Sequence, residues 1–156
     1  MSFFVGSPVV VGQPTDVHDS AENKLGAIAR DNDGNVYIYL EGVASVIAGS
    51  WVVYDEAFAT AGLDSDVAQV GPVAVAVAAV VANKYGWFMI EGSVDAGAGD
   101  VADNAAVFAS STVFIADDAA IADKQVIGAT WRGADSSSLA LVQLNRPWIG
   151  VDEAAS

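Results

Sequence analysis

Gly71-Pro72-Val73-Ala74-Val75-Ala76-Val77-Ala78 is followed, after a short break, by Gly86-Trp87-Phe88-Met89-Ile90-Glu91. Valine and alanine alternate with period 2 in the first segment. An extended chain there carries one bulky face and one small face. Alanine favours helices, but Pro72 and the strict alternation select a strand. Asn83-Lys84-Tyr85-Gly86 supplies a tight connection, so the two segments read as a hairpin. A second hairpin pairs Gly26–Arg30 with Val36–Leu40 around Asp31-Asn32-Asp33-Gly34-Asn35. Asp-Gly between β-rich runs is a strong turn signal, because Gly and Asn tolerate positive φ.

The same punctuation continues outward. Further strands are expected at Pro8–Val11, Trp51–Tyr54, Val67–Val70, Val113–Ala116, Val126–Trp131 and Leu139–Leu144. Short strands separated by Gly and Pro predict a mainly β fold, a compact sandwich or barrel. The Ala-rich stretch Asp95–Asp123 leaves room for one or two short helices, at Asp100–Ala106 and Asp117–Asp123. Met1–Pro14 is apolar and broken by two prolines and two glycines, and a polar stretch, Thr15–Asn23, follows it. Residues 1–23 therefore read as an N-terminal arm and 24–156 as the β domain. A terminal edge strand of the same domain is the alternative reading of the arm.

The chain has 156 residues, 53% of them hydrophobic, and a formal net charge of -14. Disordered chains lack that apolar content. The longest apolar run, Val73–Ala82, is half the roughly 20 residues that a membrane helix needs. The first residues carry no basic region, so export by the common secretory route is not expected. Six Lys and Arg face twenty Asp and Glu, with no basic cluster to neutralise phosphates or anionic lipid. Neither nucleic acid nor membrane is an expected partner. Charged residues are 17% of the chain, against about 25% in typical domains. So uncharged a surface is expected to be covered in part by partners. The absence of cysteine rules out disulfides, thiolate metal sites and a cysteine nucleophile.

Catalytic signals are weak. His18, the sole histidine, lies in Asp16-Val17-His18-Asp19 and reads as a solvated loop residue. Ser7 and Ser20 are near it in sequence, but neither sits in a Gly-x-Ser-x-Gly elbow. The Asp31–Asn35 run begins like a calcium loop, yet glycine falls at position 4 and Gly42 at position 12, where glycine and glutamate are required at positions 6 and 12. A hairpin turn explains these residues better. Asp64-Ser65-Asp66 and Asp117-Asp118 read as solvated turns. Paired carboxylates can hydrolyse a glycoside, but among twenty acids nothing marks one pair as special. No phosphate-binding glycine motif is present, and no cofactor is expected. Trp51, Trp87 and Trp131 lie in or beside expected strands, which points to core packing, while Trp148 falls outside them.

The order of segments then becomes recognisable. Val36-Tyr37-Ile38-Tyr39-Leu40-Glu41-Gly42 leads to Gly49-Ser50-Trp51-Val52-Val53-Tyr54, then Gly71-Pro72-Val73-Ala74, then Tyr85-Gly86-Trp87-Phe88-Met89-Ile90-Glu91-Gly92. Ile127-Gly128-Ala129 and Val142-Gln143-Leu144-Asn145-Arg146-Pro147 close it. From Leu25 to Pro147 the series resembles the small head decoration, or cement, proteins of tailed bacteriophages. That resemblance implies a β-tulip domain without an active site. It implies a homotrimer on the outer capsid surface, made in the host cytoplasm and bound to the major capsid protein. The arm is outside the matching series. As an extended apolar segment it would add to a capsid sheet edge, with Phe3, Phe4, Val5, Val9, Val10 and Val11 as contacts. Two other function classes stand beside this one: a carbohydrate-binding or adhesive β module of a virion, and a small hydrolase.

Overall fold

The computed structural model describes residues 4–5 and 12–150. Within them the chain forms twelve strands and no helix. These are β1 (Phe4–Val5), β2 (Val17–His18), β3 (Ile28–Asp31), β4 (Val36–Glu41), β5 (Trp51–Tyr54), β6 (Thr60–Gly62), β7 (Gly71–Ala76), β8 (Tyr85–Gly97), β9 (Ala106–Ala109), β10 (Ala116–Asp117), β11 (Gln125–Trp131) and β12 (Leu139–Ile149). The mainly β expectation holds. Strand order is β1-β3-β4-β8-β7-β12-β11-β9-β10, and β5 and β6 extend from β7. The sheet stays open, with β1 and β10 at the ends of that order.

Both expected hairpins form. β3 pairs antiparallel with β4 through Ile28↔Ile38 and Arg30↔Val36. β7 pairs antiparallel with β8 through Val75↔Met89 and Ala76↔Phe88. The period-2 pattern in β7 sorts its side chains between two cores. Val73 and Val75 enter one cluster, which also holds Tyr37, Tyr39, Trp51, Trp87 and Trp131. Ala74 and Ala76 enter the other, beside Val36, Ile38, Leu40, Phe88 and Ile90. The centre of the sheet is thus buried on both faces. Loop residues Val46 and Val80 close the second face.

β8 spans 13 residues and belongs to both halves of the molecule. Its first half lies against β2, β4 and β7, and its second half pairs with β12 from Glu91↔Asn145 to Gly97↔Leu139. Gly92 sits at the transition with φ 121°. A Cβ there would collide with the Asn35 side chain, so glycine serves both the backbone angle and the close approach. β12 breaks in turn at Arg146, which has φ 45°, and its end moves over to β7 through Trp148↔Pro72.

The expected strand Val67–Val70 does not form. Lys124 donates to the Val67 carbonyl, and Gln69 accepts from the Asp64 amide and donates to the Gly62 carbonyl. Those bonds fold the segment into a loop, and the short strand β6 lies just before it. Val113–Ala116 is corrected to Ala116–Asp117, because Phe114 takes φ 70° and turns the chain. Neither possible helix forms. Asn104 and Asp123 adopt positive φ, and the Asp117 and Asp118 carboxylates accept the Asp118, Ala119 and Ala102 amides, competing with helical bonding. Residues 106–109 form β9 instead. Pro8–Val11 lies outside the described residues.

Candidate functional site

At the β11–β12–β7 junction, Ile127 opposes Trp148 and Trp148 opposes Pro72. Side chains directly opposite across antiparallel strands share a face, so the three form one row. Alternation turns that row outward: Val126, Pro147 and Ile149 are buried while Ile127 and Trp148 are exposed. Trp148 is 43% exposed, which is large for an indole, and neighbouring Val70 is 73% exposed. Trp148, Pro72 and Val70 share a shallow concavity with Tyr54 and Phe58. At the other end Ile127 lines a second concavity with Phe108 and Ile121. The result is an apolar strip, a row of side chains across three strands with a concavity at each end, around Tyr54 and around Ile121.

The strip's charges are of one sign at its ends. Asp55 and Glu56 line the Trp148 concavity and Asp123 lines the Ile127 concavity, with no Lys or Arg lining either. Burial raises the Tyr54 phenol above its ordinary pKa, and the nearby Arg146 charge opposes that shift. Arg146 is itself engaged by Glu91, at 3.1 Å.

The sequence-derived contact residues fall at the N-terminus. Phe4 and Val5 form β1 and pair with Asp31 and Arg30 of the same chain. Phe3, Val9, Val10 and Val11 lie outside the described residues. The strip itself was not read from the sequence. Its signal is the outward alternation Pro147-Trp148-Ile149, which lies past the expected end of the last strand.

His18 is not a solvated loop residue. It lies in β2, opposite Tyr85, and its side chain is 13% exposed. Its Nδ1 lies 2.7 Å from the Tyr39 hydroxyl and its Nε2 3.4 Å from Glu22. Tyr39 packs at a tilt on Trp87, with 4.9 Å between centroids. Lys84 pairs with Asp19, fixing the exit of β2 to the β7–β8 turn. These contacts moor the segment around β2 to the core, and no nucleophilic hydroxyl other than the Tyr39 phenol contacts the imidazole among the described residues.

The Asp31 loop is a turn held by its own carboxylate. Asp31 is 1% exposed and accepts from the Asp33 and Asn35 amides, from Asn35 Nδ2 and from the Tyr37 hydroxyl, all at 2.9–3.0 Å. Burial works to raise its pKa, but the four donors outweigh it and leave the carboxyl below its ordinary value. Tyr37 is raised, first by burial and then by its bond to Asp31. Among the described residues, no group of three or more His, Cys, Asp or Glu is placed to hold a metal. Trp51, Trp87 and Trp131 are fully buried core residues, as their strand positions suggest.

Comparison with known proteins finds no matching family model, no matching curated protein and no matching solved structure.

Proposed function

We propose that the protein is a structural component of a virion, a decoration protein that binds the outside of a tailed-phage head and bridges neighbouring capsomers. The observation that carries this reading is the apolar strip through Ile127, Trp148, Pro72 and Val70, which suits binding to another protein. Exposed apolar side chains gathered on one face of a small domain favour an interaction site. The ordered series of β segments from Leu25 to Pro147 supports the same class, and an acidic surface suits the face turned away from DNA. In this reading the chain acts as a homotrimer. Bridging several subunits at once raises avidity well beyond a single contact. The arm residues Phe3, Phe4, Val5, Val9, Val10 and Val11 supply a secondary contact.

The test is copurification. Intact heads should carry the protein at a stoichiometry comparable to the major capsid protein, and heads that lack it throughout purification would overturn the reading. A carbohydrate-binding module is the second reading, favoured by the exposed Trp148 beside Asp55 and Glu56. Glycan-array binding that disappears in Trp148→Ala would select it.

A further inference from the structure

We propose that the strip is a docking groove for an extended apolar segment of a partner protein flanked by Lys or Arg, and that it is the principal contact rather than the arm. The inference rests on the decoration reading only for the partner's identity.

Three observations argue for that occupant. The first is geometry. Ile127, Trp148 and Pro72 stand in register on three adjacent strands. At about 4.8 Å between strands, the row is about 10 Å long, which matches about three residues of extended chain. The concavities at its two ends, around Tyr54 and around Ile121, lengthen the footprint.

The second is charge. Asp55 and Glu56 rim one end and Asp123 the other. Of the cations near them, Arg146 is paired with Glu91, while Lys124 is bonded to the neutral Val67 carbonyl and keeps its charge, so the acidic bias is stronger at the Asp55 and Glu56 end. An incoming segment with basic flanks meets carboxylates at both ends of an apolar floor. Such complementarity steers encounter and fixes register.

The third is what charge disfavours. A second copy brings another -14 charges to an acid-rimmed surface. Gly150 lies against Val70, and the sequence that follows it, Val151-Asp152-Glu153-Ala154-Ala155-Ser156, carries two more acids and no counter-charge.

The test uses the full chain and two synthetic peptides in titration calorimetry. Both carry a core of valine, isoleucine and phenylalanine, one flanked by lysine pairs and the other by glutamate pairs. The lysine-flanked peptide should bind at least tenfold more tightly, and added salt should weaken it. Trp148→Ala should reduce its affinity at least tenfold. Asp55→Asn with Glu56→Gln should reduce the preference between peptides, with Asp123 still in place at the other end. Asp55 Oδ1 accepts the Ala57 and Ala59 amides, which an asparagine Oδ1 can also accept, so this pair keeps the test informative if Trp148→Ala fails to fold. Equal affinity for the two peptides, or affinity unchanged in both variants, would overturn the proposal. So would an oligomer in sedimentation that dissociates in Trp148→Ala, because a second copy would then cover the strip. Heads separate the two readings. Undiminished decoration by the Trp148→Ala protein overturns the groove and leaves the decoration reading standing. Selective peptide binding by a protein absent from heads does the reverse.

Discussion

Asp31 and Gly34 set the β3–β4 turn in different ways. Asp31 gathers four donors onto one buried carboxylate, and charged hydrogen bonds are the stronger kind. Asp31→Asn should cost about 1–3 kcal/mol, because an amide cannot accept all four. The folded pKa of Asp31 is below its unfolded one. Its stabilisation is therefore complete above the ordinary carboxylate range and is lost as pH falls through the folded value. Denaturation at pH 7 and pH 3 should show a smaller difference in Asp31→Asn than in the wild type; equal differences would show that the carboxylate is not the acid-sensitive group. Gly34 has φ 86°, and the space that a Cβ would occupy there is open. Gly34→Val should then lose about 1–3 kcal/mol through backbone strain alone, and Gly34→Asn much less. Chemical melts of the two variants check this, and equal midpoints would count against it.

Among the strands, what was legible in the sequence depended on whether neighbours competed. In β7 the Val/Ala alternation is a local signal, and the structure uses it literally, with Val73 and Val75 in one core and Ala74 and Ala76 in the other. Ala74→Leu should overpack the smaller core and destabilise by about 1–3 kcal/mol, read as a lower midpoint without a change in m-value. A neutral result would mean that the loops over that face yield easily. Elsewhere non-local bonds won. Val67–Val70 has strand-forming residues, but Lys124 and the Gln69 side chain hold it as a loop. The helices allowed by alanine content were displaced by aspartates that bond nearby backbone amides. The strip was invisible for a related reason. It is assembled from three strands by register, and its central residue lies beyond the Arg146 break, where alternation had to be restarted.

Over the whole chain, charge is the dominant long-range term. With -14 formal charges on 156 residues, self-repulsion opposes compaction. The Debye length falls from about 30 Å at 0.01 M to about 8 Å near 0.15 M ionic strength. The thermal midpoint should rise across that interval in sodium chloride and then level off. A midpoint that falls steadily with salt would show instead that pairs such as Lys84–Asp19 and Arg146–Glu91 outweigh the net charge. Decoration of bare heads offers the complementary measurement. If basic flanks dock into the acid-rimmed strip, attachment should weaken with salt while the isolated protein grows more stable.

β8 also governs how the molecule opens. Its residues pair with β2, β4 and β7 on one stretch and with β12 on the next. Neither half of the sheet can be released while leaving that strand fully bonded. Deuterium uptake in the native state should therefore be slowest at Trp87, Phe88, Met89 and Ile90, with opening free energies that match one another and the global value. Amides of β6 and β10, short strands at the margin, should exchange by local fraying long before.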